Sequence, residues 1–232
     1  MDVILIPGFW LDASSWNEVT PALDEAGHRI HAVTLPGLEA PDAPRAGIGL
    51  VDHVSAVTRL VDRLGERVVL VGHSGGGTVA QAVADARPDR IARVVYVDAA
   101  PMGDGDTIND ELPVVGDEIP LPEWSVFGEG MLAGLDDDAR RRFRERAIPE
   151  PAAVASDPLH LTDERRLDVP TTIITCEYPS SQIRAWVADG APFVRELAAM
   201  RDVDYVDLPT GHWPQFSRPV ELGRILVQTL ER

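Results

Sequence analysis

Six apolar runs of strand length punctuate the chain, at positions 3–6, 29–33, 68–71, 94–97, 171–176 and 204–208. Most are near-continuous, the pattern of strands covered on both faces. Between them lie stretches with helical spacing. Over 51–64, Val54, Val57, Leu60, Val61 and Leu64 form one stripe, while Asp52, Arg59, Asp62 and Arg63 face outward. Further helices are expected over 75–86 and 219–230. Ser15 followed by Glu18 reads as a capping box, which predicts a helix from there to Gly27. Strands alternating with helices predict an α/β fold with a mostly parallel central sheet of about six strands and helices on both faces.

The alternation breaks between 101 and about 168. Prolines, acidic loops and one charged stretch, LDDDARRRFRERA, replace it, and a lid inserted after the fourth strand is expected there. Asp136, Asp137 and Asp138 precede Arg140, Arg141, Arg142, Arg144 and Arg146, an order that complements a helix dipole. That arrangement favours a solvated lid helix over a nucleic-acid patch.

Composition narrows the chemistry. A chain of 232 residues is long enough for one sizeable core, so a single domain over 1–232 is the expectation. The formal net charge of −17 opposes binding to nucleic acid or to anionic membrane surfaces. No apolar run approaches the ~20 residues of a membrane helix, and the first strand begins at Val3, leaving no room for a signal peptide. A cytoplasmic protein is therefore expected. All 21 basic residues are arginine, which excludes lysine Schiff bases and covalent pyridoxal chemistry. Cys176 is the only cysteine, so no internal disulfide forms, and its apolar neighbours predict a buried structural thiol. Asp104, Asp106 and Asp110 lack the downstream glutamate of a twelve-residue calcium loop, so no metal is expected, and nothing calls for a cofactor.

The segment VVLVGHSGGGTVA carries the candidate chemistry. Gly72-His73-Ser74-Gly75-Gly76 fits G-x-S-x-G, with a predicted strand entering and a predicted helix leaving. Such a turn holds its serine in a strained conformation and needs small residues two before and two after it, which Gly72 and Gly76 are. It lifts the hydroxyl above the strand ends and aims the Gly75 N–H at the place where an oxyanion forms. A serine needs a base. His212, in DLPTGHWPQFSRP, lies between the last strand and the last helix and emerges at the same sheet edge. His28, His31, His53, His73 and His160 are expected to be structural.

On the stretches ILIPGFW, LVGHSGGG and TGHWPQF the chain resembles the α/β-hydrolase superfamily over nearly its whole length. It is similar in outline to the plant methylesterase and hydroxynitrile lyase branch. Pro7-Gly8 stands where that family has His-Gly, and the match implies Phe9 N–H as a second oxyanion donor. Leu35-Pro36-Gly37 matches the family's turn after the next strand and is read as structural. The family places its triad acid a few residues past the penultimate strand, where this chain has Pro179, Ser180 and Ser181. Two carboxylates remain in the right chain order: Asp98 at the end of the fourth strand, a position some members use, and Glu177 directly after the fifth. Asp98 is preferred, with Glu177 or an acid-free dyad as alternatives.

Trp10 and Trp213 flank the proposed donor and base and are expected to border the pocket, with Trp124, Phe127, Met131 and Leu132 as a far wall. Gly75, where the family more often has a larger residue, is expected to leave room for a bulky acyl group. The expected function is a serine hydrolase that cleaves a carboxylic ester of a small to medium, largely apolar substrate through an acyl-enzyme. The alternatives are a lyase or cofactor-free oxygenase on the same constellation, or a small-ligand receptor without efficient catalysis.

Overall fold

The computed structural model describes residues 1–231. Strands β1 (Asp2–Ile6), β2 (Arg29–Ala32), β3 (Val68–His73) and β4 (Ile91–Val97) alternate with helices α1 (Thr20–Glu25), α2 (Leu50–Arg63) and α3 (Gly75–Ala86). The next stretch contains a short antiparallel pair, β5 (Glu118–Ile119) and β6 (Glu150–Pro151), with α4 (Asp137–Arg146) between its strands and α5 (Ala152–Ser156) after them. There follow β7 (Thr171–Thr175), α6 (Ser180–Ala188), α7 (Arg195–Ala199), β8 (Val203–Asp207), α8 (Pro214–Ser217) and α9 (Pro219–Leu230).

Six strands form one parallel sheet in the order β2-β1-β3-β4-β7-β8. Every residue of β1 and β3 is buried, as their unbroken apolar runs require. Alternation within these strands feeds two cores. Ile4, Ile6 and Leu70 enter one, and Val3, Leu5, Val69 and Val71 enter the other. The strand order reverses between β1 and β3, which opens a crevice at their carboxyl ends. No helix among the described residues is long and apolar enough to cross a membrane.

The capping box at Ser15 does not form. Asp12 caps a 3-10 turn over Ala13–Trp16 by accepting from Ser14 N, and the Ser15 hydroxyl donates back to the Asp12 carbonyl. The α-helix starts only at Thr20. Trp16 is completely buried in the second core, and the tight turn is what delivers its ring there. Elsewhere the boundaries agree with the sequence pattern to within a residue or two, except that β4 starts at Ile91, three residues before the expected run at 94–97.

The stretch between β4 and β7 is tied to the sheet layer at its far end. Asp85 on α3 accepts from the N–H groups of Thr162 and Asp163 and from Arg166, which also donates to Glu196 of α7. These groups are nearly out of water, so each depends on the others for its hydrogen bonds.

Candidate active site

Ser74 lies at the bend between β3 and α3 with φ 50° and ψ −126°. A Cβ on Gly72 would approach the Gly76 carbonyl to 2.4 Å, and one on Gly76 would come within 2.4 Å of the Pro7 carbonyl. The turn therefore excludes any side chain at either position. Only three non-glycine residues among those described have positive φ: Trp10, Ser74 and Asp98. All three converge on this site, where backbone strain of roughly 1–3 kcal/mol each is held by the surroundings.

The structure brings Ser74, His212 and Asp98 together. His212 Nε2 is 2.9 Å from Ser74 Oγ, and His212 Nδ1 is 2.7 Å from Asp98 Oδ2. The other Asp98 oxygen accepts from Cys176 N at 3.0 Å and Glu177 N at 3.1 Å. Burial alone would raise the Asp98 pKa, but the bond from His212 and these two N–H groups outweigh it and hold the carboxyl below its usual range. The Glu177 carboxylate makes no hydrogen bond to Asp98 or His212. Burial, and then the Asp98 charge, push its carboxyl up, with His212 acting in the opposite sense.

Neighbours position the imidazole. His73 is fully buried, and its Nε2 donates to the His212 carbonyl at 2.7 Å. Burial and the nearby His212 push the His73 pKa down to about 3, so it remains neutral. His212 N donates to Met131 O and Gly211 N to Ala133 O, which stitches the histidine loop to the stretch preceding α4. Trp213 is 2% exposed and sets its ring edge-on to His212 at 5.1 Å. Phe127, Trp124 and Phe143 pack edge-on against that indole. Trp213 thus backs the imidazole from the core. Trp124 and Phe127 support it in turn, while Met131 lines the cavity described below.

On the opposite side, Trp10 is clamped by three bonds. Its carbonyl accepts from Ile148 N at 3.0 Å, its indole N–H donates to Ile119 O at 3.1 Å, and its backbone N–H donates to Glu150 Oε2 at 3.4 Å. Glu150 is 1% exposed, and its second oxygen lies 3.9 Å from His53 Nδ1 without a hydrogen-bond partner. His53 Nε2 donates to Pro36 O at 2.9 Å, which fixes the tautomer with a bare Nδ1 facing Glu150. Burial pushes the Glu150 carboxyl up to about 8. Glu150 was not foreseen: it sits in the proline-rich stretch IPEP, and no periodicity marks it as buried.

The room expected beside Gly75 is taken. A Cβ there would meet the Phe9 ring at 2.8 Å, so the aromatic side chain already fills that space. Cys176 is buried, and its thiol pKa is pushed up by burial and then by Asp98. Asp98, Glu177 and His212 each bring one ligand atom to within 4.8 Å of the others. A cation held by that set would compete for the Asp98–His212 bond.

A cavity of about 280 Å³ opens beside the pair, lined by Asp98 and His212 together with Met131, Glu177, Tyr178 and Trp186 among others. A second cavity, of about 260 Å³, lies between Asp12 and α4 and touches neither Ser74 nor His212.

A parallel sheet carrying a serine at a strained strand–helix bend defines an α/β hydrolase in architecture, and residues 3–224 match the family model described as the alpha/beta hydrolase family. The chain belongs to that family. It is 33% identical over 246 residues to a carbendazim hydrolyzing esterase from a Nocardioides species, covering 96% of this chain and 97% of that one. It is 31% identical to a non-heme chloroperoxidase from Streptomyces lividans, covering 91% and 85% of the two chains. An extracellular alpha/beta-hydrolase from a Paenibacillus species shares the fold, with a TM-score of 0.79 at 21% identity and 98% of each chain covered.

Proposed function

We propose that this protein is a serine hydrolase cleaving a carboxylic ester of a small to medium substrate with a largely apolar body. Ser74 Oγ attacks the ester carbonyl while His212 Nε2 takes its proton. Asp98 holds the imidazole in the tautomer with Nδ1 protonated and stabilises the imidazolium that forms. The N–H groups of Phe9 and Gly75 receive the oxyanion, aided by the N-terminus of α3. The alcohol leaves with the proton from His212, and water attacks the acyl-enzyme by the same route in reverse. The 101–168 stretch serves as a lid that supports both the histidine loop and the Phe9–Trp10 turn.

The observation that carries this reading is the unbroken chain of bonds from Ser74 Oγ through His212 to Asp98. The likeness to a protein named an esterase agrees with it. Mass spectrometry after exposure to a fluorophosphonate tests it. One adduct on Ser74 is expected in the wild type and none in Ser74→Ala, and an unlabelled wild type with no turnover of 4-nitrophenyl acetate would refute the reading. The likeness to a protein named a non-heme chloroperoxidase favours one second reading, oxidative chemistry at the same serine. Halogenation of a phenol dye in the presence of halide and peroxide, at a rate above ester turnover, would favour it.

A further inference from the structure

The cavity beside Asp98 and His212 has a lining of unusual chemistry. One wall consists of three rings in edge-to-face sequence. Tyr178 meets Trp186 at 5.1 Å, and Trp186 meets Phe193 at 5.3 Å. Ile183 and Met131 complete the apolar surface. Two carboxylates, Asp98 and Glu177, face the same space, and no arginine lines it.

The two acids are not equivalent. Asp98 has both oxygens bonded. No side-chain hydrogen bond or ion pair from another described residue holds the Glu177 carboxylate. Its carboxyl is partly desolvated and sits beside a like charge, and both effects disfavour its ionised form in the absence of a counter-charge. The nearby arginines are committed elsewhere: Arg184 stacks on the Tyr205 ring at 4.1 Å, and Arg195 pairs with Asp106 at 2.7 Å.

The identity of an occupant follows from what would satisfy this lining. An anion meets two negative charges. A neutral apolar group covers the rings but removes more water from a carboxylate that gains nothing in exchange. An ammonium group bonds Glu177 and lies against aromatic faces that attract cations.

We infer that this cavity is a subsite for a positively charged group carried on an apolar body, a primary ammonium, and that Glu177 selects the charge. The inference rests on the ester-hydrolase reading in so far as the cavity takes the ammonium-bearing end of the ester whose carbonyl sits at Ser74.

Calorimetric titration with three probes of matched shape tests it: phenethylamine, 2-phenylethanol and 3-phenylpropanoate, at pH 7, on wild type and Glu177→Gln. Wild type is expected to bind the amine about 10-fold or more tighter than the alcohol, the factor set by one charge-assisted hydrogen bond, and the carboxylate weakest. Glu177→Gln should reduce the amine-to-alcohol ratio to near one. Trp186→Ala should weaken both amine and alcohol. Equal binding of the three probes, an amine preference that survives Glu177→Gln, or no binding of any probe would each overturn the inference. Because binding is read without catalysis, the two readings fail separately. Selective amine binding in a protein that turns over no ester leaves the subsite standing and removes the hydrolase. Fluorophosphonate labelling of Ser74 with no amine preference does the reverse.

Discussion

Replacing Glu150 by glutamine isolates the cost of a buried ionisable group beneath the Phe9–Trp10 turn. The amide keeps an acceptor for Trp10 N–H and presents a donor to the bare Nδ1 of His53, 3.9 Å from the carboxyl. In the wild type only the protonated acid fills both roles. Burial pushes its pKa from 4.5 to about 8 in the folded chain. A folded-state pKa above the unfolded one fixes the sign: the protonated acid's contribution is fully present below about pH 4.5 and is lost progressively as pH rises to about 8, since the unfolded chain releases its proton first.

Glutamine does not titrate, so the stability of Glu150→Gln relative to wild type should grow with pH. Between pH 5.5 and pH 9 the gap should widen by about 3 kcal/mol, from 1.36 kcal/mol per unit of differential protonation. For a chain of this size that corresponds to roughly 6–12 °C in Tm. Thermal melts of both proteins at half-unit pH steps provide the measurement. Parallel curves, with a constant difference from pH 5.5 to pH 9, would refute the reasoning, because a carboxyl that titrates alike in both states produces no such slope.

Asp98→Asn is expected to lower kcat for 4-nitrophenyl acetate by ~10³-fold or more with the melting curve little changed, whereas loss of the same size in Glu177→Gln would reassign the acid. Gly75→Ala drives a Cβ to 2.8 Å from the Phe9 ring and should cost roughly 1–3 kcal/mol in urea unfolding. Adding Phe9→Leu should recover part of that loss, and an unrelieved double variant would place the clash elsewhere. Trp10→Phe removes the bond to Ile119 O, worth about 1 kcal/mol, and is expected to lower kcat several-fold with KM nearly constant, because the turn it loosens serves the transition state.

The parts of this fold that are legible in the sequence are those decided locally or by burial on two faces. Strands β1 and β3 are apolar at nearly every position, and the glycines around Ser74 answer a steric demand set within five residues. The first helix starts later than its local pattern predicts because Ser15 satisfies a local rule that tertiary packing overrides: the demand to bury Trp16 imposes a tight turn capped from Asp12. The choice between Asp98 and Glu177 was open for a different reason. Spacing places both at neighbouring strand ends but says nothing of side-chain direction. Here the positive φ of Asp98 and two N–H groups from the adjacent strand end aim its carboxylate at His212. Glu150 left no trace in the sequence, since its burial depends on a contact with Trp10 140 residues away.

Each corner of the site is held from outside the motif that produces it. Ser74 is strained by glycine packing against the Pro7 carbonyl, so its turn is locked by the loop leaving β1. That loop is fixed at Trp10 by β5, β6 and the residues between α4 and β6. His212 is held by Met131 from the same inserted stretch, through its own N–H, and by His73 from the elbow, through its carbonyl. The inserted stretch therefore ties both the Phe9–Trp10 turn and the histidine loop, in each case with a backbone–backbone bond, Ile148 N to Trp10 O and His212 N to Met131 O, that no single side-chain substitution removes. A segment bonded in this way cannot swing clear of the crevice without also releasing Trp10 and the histidine loop. Substrate entry is accordingly expected through the side lined by Tyr178 and Phe193, which are 49% and 62% exposed. Opening there leaves the Ser74–His212–Asp98 bonds intact, while opening on the Trp10 side would break the arrangement on which the chemistry depends.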